Sequence, residues 1–257
     1  MKVALLAGGL GTRIREETEF KPKPMVFVGG KPILWHIMNS YARNGSSQFV
    51  VCAGYRGEVI REYFREFQSM NSDFTVKLGA HQQIKYHDEF EEQGWEVTVV
   101  DTGEKTMTGG RLFRARKYLD DETFFCTYGD GLADVDLAKL LEFHKSHGKI
   151  ATITAVRPVS RFGVLDLDSS SAVTQFREKP QSDGWINAGF FVFSKKIFNY
   201  LSDDSILENE PLAQLALENQ LMAYRHEGFW QPMDTFRELT ILNELWDTGK
   251  APWAKKN

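Results

Sequence analysis

The chain has 257 residues, 42% of them hydrophobic and 26% charged, with a formal net charge of −4. That length can bury the core of one large α/β domain, the composition is that of a globular chain, and the acidic balance speaks against a general nucleic-acid binder. No apolar run is long enough to span a bilayer, no basic stretch or cleavage site marks the opening strand as a leader, and Cys52 and Cys126 each sit in an apolar run; a cytoplasmic chain with no membrane partner, no disulfide framework and no zinc site is expected.

Residues 2–7 read as a buried strand that empties into Gly8-Gly9-Leu10-Gly11-Thr12-Arg13. Pro32 to Asn44 carries Ile33, Ile37 and Tyr41 four apart, an amphipathic helix with proline at its start and Gly45 after its end. A strand over 49–53 and a helix over 59–67 follow. Strands at 74–78 and 96–100 flank a polar, mobile-looking stretch from Gly79 to Gly94, and 111–118 reads as helix. A buried strand at 123–128 ends in Gly129-Asp130-Gly131. Next come a helix over 135–147 with Asp134 as N-cap and Gly148 as stop, and a strand at 150–156. A hairpin of 163–167 and 173–176, a strand at 189–193, and helices at about 208–219 and 235–248 complete the chain. The alternation predicts an α/β fold, a Rossmann-like, mostly parallel mixed sheet flanked by helices, with a small β-hairpin and C-terminal helical additions. A nucleotide-binding part of about 1–131 and a sugar-phosphate-binding part of about 132–257 are expected within one domain.

The chemistry concentrates where strands end. A glycine-rich turn after a strand presents closely spaced backbone N–H groups suited to phosphate oxygens, although alone it can be only a tight turn. Its spacing is neither the dinucleotide fingerprint nor a Walker A loop. Arg13 and Lys23 add two cations, and Pro22 and Pro24 stiffen the backbone on either side of Lys23. Asp130, flanked by glycines, suits a divalent cation but equally a turn or a cap; Asp234 precedes a helix and could simply cap it. Glu178-Lys179-Pro180 and Asn187-Ala188-Gly189 suit sugar hydroxyls and a sugar phosphate, or else a solvated strand end. Asp101-Thr102-Gly103 with Thr108-Gly109-Gly110-Arg111 forms a second glycine-rich turn with its own arginine. The histidine pairs His81/His87 and His144/His147 lack a third ligand at metal-binding spacing.

Leu6-Ala7-Gly8-Gly9-Leu10-Gly11-Thr12-Arg13 with Pro22-Lys23-Pro24-Met25 resembles the signature of the sugar-1-phosphate nucleotidyltransferases, and the resemblance covers nearly the whole chain. Met107-Thr108-Gly109-Gly110-Arg111-Leu112, Tyr128-Gly129-Asp130-Gly131 and Gly228-Phe229-Trp230-Gln231-Pro232-Met233-Asp234-Thr235 are similar to the branch that uses CTP. Ala188 departs from the glycine expected there. The resemblance implies a glycosyltransferase-A-like fold and the joining of CTP with α-D-glucose 1-phosphate to give CDP-glucose and pyrophosphate. It implies that backbone amides of Leu6, Ala7, Gly8, Gly9, Leu10, Gly11 and Thr12 hold the nucleotide, with Gly110 and Gly129 beside it. Arg13 and Lys23 would grip the triphosphate, and Thr108 and Arg111 would read the cytosine edge. Asp130 and Asp234 would share magnesium; Glu178, Lys179, Asn187 and Gly189 would bind the sugar phosphate, with Lys179 joining Arg13 and Lys23 as catalytic cations. It also implies a homo-oligomer such as a hexamer, and a role in lipopolysaccharide or O-antigen synthesis. A transferase for UTP, dTTP or GTP, a sugar-nucleotide-binding regulatory subunit and, more weakly, a dinucleotide oxidoreductase remain open on the residues alone.

Overall fold

The opening apolar run forms strand β1 (Lys2–Ala7), buried on both faces. Its side chains alternate: Val3, Leu5 and Ala7 enter one core, Ala4 and Leu6 the other. In chain order follow α1 (Ile33–Arg43), β2 (Gln48–Ala53), α2 (Gly57–Arg65), a ribbon of β3 (Phe74–Lys77) and β4 (Gln83–Tyr86), and β5 (Glu96–Asp101). Next are α3 (Thr108–Ala115), β6 (Thr123–Tyr128), β7 (Gly131–Ala133), α4 (Leu137–His147) and β8 (Ala151–Val156). A second ribbon of β9 (Val164–Leu167) and β10 (Val173–Arg177) precedes β11 (Ile186–Ser194), α5 (Glu210–Leu217), β12 (Leu221–Arg225), β13 (Trp230–Pro232) and α6 (Phe236–Asp247). The computed structural model describes residues 1–79, 83–87, 92, 94–160 and 162–254, and at 13, 15 and 16 the backbone alone.

Among the described residues the main sheet has seven strands in the order β12-β8-β11-β6-β1-β2-β5. Only β11 runs against its neighbours, β6 and β8; the β8–β12, β6–β1, β1–β2 and β2–β5 pairs are parallel. Helices α1, α2, α4 and α6 cover one face and α3 and α5 the other, each over its own apolar core. The chain leaves β1 over the first face to reach β2, and returns over the second face through α3 to β6. The carboxyl ends of β1 and β6 therefore border a topological switch point, where open α/β sheets bind ligands.

The mixed, mostly parallel sheet agrees with the sequence reading, and among the described residues six short strands go beyond it, two of them the paired Phe27–Val28 and Lys31–Pro32. β4 lies inside the stretch read as a mobile connection, while β7, β12 and β13 lie in runs too short or too polar to announce themselves. Two caps differ. Asp136, not Asp134, caps α4 by accepting from the Lys139 amide at 3.0 Å, while Asp134 faces His226 at 3.0 Å. At α6 the cap is Thr235, in a capping box with Glu238. Helix α3 starts at Thr108 rather than Arg111, because Gly109 and Gly110 are helical. A Cβ on Gly110 would fall 2.1 Å from the Asp203 carbonyl, and one on Gly109 would fall 2.7 Å from Ser205 Cβ. The glycine pair thus lets the 203–208 loop pack directly on the first turn of α3.

Candidate active site

A cavity of about 520 Å³ opens at the switch point. Leu6 and the Gly8–Thr12 loop wall one side, the Glu104–Thr108 segment another, and Lys23, Tyr128–Asp130, Glu208 and Asp234 the rest. Two cationic groups and two aspartates are thereby brought together from four distant parts of the chain: Lys23, Arg111, Asp130 and Asp234. The Arg13 side chain and His81 lie outside the described residues. Ala7 is the buried last residue of β1, and Gly110 packs against Asp203; neither lines the cavity.

The loop is shaped by contacts that its glycines permit. Gly11 has φ +63°, and a Cβ there would meet Thr18 Cγ2 at 2.9 Å. Arg111 is buried under the loop: Nη2 donates to the carbonyls of Gly8 (2.7 Å) and Glu104 (3.0 Å), and Nη1 to Gly103 O (2.7 Å) and Thr102 Oγ1 (2.9 Å). Burial pulls its pKa below the usual arginine value. These bonds hold the guanidinium rigid between the two glycine-rich turns. Any hydrogen bond from its terminal nitrogens to a base must be shared with, or exchanged for, one of them, a condition that residue spacing did not reveal.

Lys23 enters from a short 3₁₀ turn, Lys23–Met25, after Pro22. Its ammonium donates to Asp130 Oδ2 at 2.7 Å and Asp234 Oδ1 at 2.6 Å. Burial draws its pKa down, but the two carboxylates outweigh burial and leave it above the ordinary lysine value. Asp130 stands just beyond β6, where a Cβ on Gly129 would lie 2.9 Å from Pro24 Cγ and 3.0 Å from the Leu6 carbonyl. Asp234 comes from the turn between β13 and α6; with Thr235 as the cap, its carboxylate faces Lys23. Two carboxylates facing one point suit magnesium, which takes one or two protein carboxylates and fills its shell with substrate phosphates and water. Among the described residues no third acidic, histidine or cysteine ligand joins them.

The sugar-phosphate candidates divide. Asn187 and Gly189, on β11, abut the cavity through Tyr128: Asn187 Nδ2 donates to the Tyr128 hydroxyl at 3.1 Å, and Gly189 (φ +81°) lies where a Cβ would meet Tyr128 Cδ2 at 2.4 Å. Glu178 and Lys179 follow β10, exposed and paired with each other at 3.4 Å, outside the cavity lining. Lys179 holds a φ of +46°, a strained backbone that tends to persist at functional positions. Buried Ala188 turns its carbonyl to Trp230 Nε1 at 2.8 Å. The sequence reading missed Glu208, which receives hydrogen bonds from Tyr128 and Thr108. It lies in an irregular loop far from every motif, so no local signal marked it.

Residues 2–244 match the family described as Nucleotidyl transferase. The chain belongs to the nucleotidyl transferase family. It is 51% identical over 256 residues to a glucose-1-phosphate cytidylyltransferase of Salmonella typhi, covering 98% of each chain. It is 43% identical over 257 residues to a "Probable glucose-1-phosphate cytidylyltransferase" of Bacillus subtilis (strain 168), covering 98% of this chain and 99% of the other. The crystal structure of HddC from Yersinia pseudotuberculosis superposes with a TM-score of 0.68 at 24% identity, over 95% of this chain and 99% of that one. A UDP-glucose pyrophosphorylase complexed with UDP-glucose gives 0.69 at 15% identity, over 96% and 98%. These likenesses show the fold: this nucleotidyl transferase is built on the mixed α/β sheet of the glycosyltransferase-A-like class.

Proposed function

We propose that this protein joins CTP and α-D-glucose 1-phosphate to give CDP-glucose and pyrophosphate. The choice of substrates is carried by the identity of 51% over 98% of both chains to a glucose-1-phosphate cytidylyltransferase. The reaction type is supported by the meeting of Lys23, Asp130 and Asp234 across the cavity from the Gly8–Thr12 loop. A phosphate oxygen of glucose 1-phosphate attacks the α-phosphorus of CTP in line; one P–O bond forms, the α–β bridging bond breaks, and the electron pair leaves with pyrophosphate. No general base is needed, because the nucleophile is already ionised at neutral pH. The protein aligns the two phosphates and offsets their crowded charge.

In this reading, amides of residues 6–12 hold the nucleotide, Lys23 and Arg13 grip its phosphates, and Thr108 with Arg111 walls the base. Asn187, Gly189, Glu178 and Lys179 receive the sugar phosphate, so that residues 1–131 serve the nucleotide and 132–257 the sugar. Asp130 and Asp234 would hold magnesium, which supplies charge neutralisation at the phosphates when bound. The Lys23 ammonium, held between the two carboxylates at the cavity wall, would supply the positive charge beside the phosphates.

A homo-oligomer is supported by the β9–β10 ribbon, where Leu165 pairs with Phe176 and Leu167 with Val173 on one exposed apolar face. No helix among the described residues is long and apolar enough to cross a membrane; a cytoplasmic location and a place in O-antigen synthesis belong to the proposal. Pyrophosphate release measured with each of CTP, UTP, dTTP and GTP, with and without glucose 1-phosphate, tests the proposal. Release should require both CTP and the sugar phosphate; equal release from UTP would refute the nucleotide assignment.

A further inference from the structure

We propose that Glu208 is a positioning residue for the sugar phosphate: it orients the Tyr128 hydroxyl and, through it, the Asn187 amide. The three form one polar ladder from the nucleotide wall of the cavity to its sugar side. The proposal rests on the reading above that Asn187 and Gly189 face the sugar phosphate.

The direction of every rung follows from which groups can donate. Thr108 Oγ1 accepts from the Leu207 amide at 3.0 Å, so its single proton goes to Glu208 Oε2 at 2.6 Å. The other carboxylate oxygen accepts from the Tyr128 hydroxyl. A carboxylate offers only lone pairs, so the phenol must spend its one proton there. Its own lone pair then takes Asn187 Nδ2 at 3.1 Å, and Asn187 Oδ1 is left to accept from the Gly189 amide at 2.7 Å. Without Glu208 the phenol proton would have no fixed acceptor and its lone pair would no longer be held toward Asn187 Nδ2, while Asn187 Oδ1 stays on the Gly189 amide. Burial, together with the carboxylate, also raises the Tyr128 pKa, which keeps the phenol a donor. Each Glu208 oxygen retains acceptor capacity, and the side chain is exposed to the cavity.

The loop that delivers Glu208 is fastened to α3. The Gly110 amide donates to Ser205 O at 2.9 Å, and Arg114 Nε to Asp203 Oδ1 at 2.8 Å. The Gly109–Gly110 pair allows that approach. Both ends of the ladder are therefore fixed, one on α3 and one on β11, while its middle lines the site.

The test is a double-mutant cycle on Glu208→Ala and Tyr128→Phe, with separate KM values for CTP and glucose 1-phosphate and a thermal melt of each variant. Each single variant should raise KM for glucose 1-phosphate by about 10- to 100-fold, the scale of one charge-assisted hydrogen bond, and Tyr128→Phe, which leaves the Thr108–Glu208 bond in place, should keep KM for CTP near wild type. The double variant should be little worse than either single one. Glu208→Gln should recover much of the loss, because its amide can accept from Tyr128 and donate to Thr108 Oγ1. An unchanged KM for glucose 1-phosphate, with or without a lowered melting temperature, or losses that multiply in the double variant, would overturn the proposal. Wild-type protein inactive with CTP and glucose 1-phosphate would instead refute the proposed function. Calorimetric binding of glucose 1-phosphate to wild type and Glu208→Ala then decides the ladder alone, and a wild type that binds none overturns both.

Discussion

Lys23→Met removes the ammonium between Asp130 and Asp234 and keeps most of the stem. Breaking a buried ion pair costs about 3–5 kcal/mol because a charge is left without a partner. Here the Asp130 and Asp234 side chains are 35% and 20% exposed, so water recovers part of that cost. A loss of about 2 kcal/mol remains, or about 4–8 °C in Tm for a chain of this size. Turnover should fall further, by about 10²- to 10³-fold, as expected when one preorganised charge at the reacting phosphates is lost. The same change leaves the two carboxylates facing each other unneutralised. Magnesium alone should therefore raise the Tm of Lys23→Met more than that of wild type, in which the ammonium competes for the same place. Thermal melts across a magnesium titration, run beside the pyrophosphate assay, read all three effects. Near-wild-type turnover in a folded variant would refute the role of Lys23, and an equal magnesium response in both proteins would refute the competition.

Asp234→Asn should weaken the magnesium dependence of turnover by an order of magnitude or more, whereas Thr235→Ala should cost about 1 kcal/mol of stability and little activity, because Thr235 is the cap of α6; the reverse pattern in melts and metal titrations would exchange the two roles. Arg111→Ala should lower kcat/KM for CTP and narrow the preference for CTP over UTP, together with a drop in Tm from the bonds lost at Gly8 and Gly103; a preference as strong as wild type would leave Arg111 as a loop clamp only. His36 is held at a pKa of about 4 by burial, partly offset by the Val28 carbonyl, with Nε2 at 2.7 Å from Val28 O and Nδ1 receiving Trp253 Nε1 at 3.3 Å. A folded pKa below the unfolded value of about 6.5 means this contribution is whole above pH 6.5. It fades as pH falls toward 4, by about 1.4 kcal/mol per unit. Melts from pH 7 to 4.5 should show that slope reduced in His36→Gln, and an unchanged slope would assign the acid sensitivity elsewhere.

The strands that build the switch point were legible because burial on both faces writes unbroken apolar runs: Val3–Ala7, Phe49–Ala53 and Phe124–Cys126. Lys23 and Asp130 stood out because prolines and glycines framed them. What the sequence concealed was pairing at long range. Nothing near Asp234 indicates that Thr235 takes the cap and that the aspartate meets a lysine 211 positions away. Gly109-Gly110 reads locally as a turn, and only the backbone of Asp203 and Ser205 pressed against it explains two glycines in a helix. Arg111 carries the right charge in the right place, but its commitment to five protein oxygens is a property of the folded turns. Glu208 had no local mark at all, since its meaning lies in Thr108 and Tyr128.

The central claim is tested most directly by competition in one vessel. The protein is incubated with equimolar CTP, UTP, dTTP and GTP, excess α-D-glucose 1-phosphate and magnesium, and the sugar nucleotides formed are identified by mass. CDP-glucose should dominate, with pyrophosphate released in equal amount. A mixture led by UDP-, dTDP- or GDP-glucose, or no sugar nucleotide from active-site-intact protein, would contradict it.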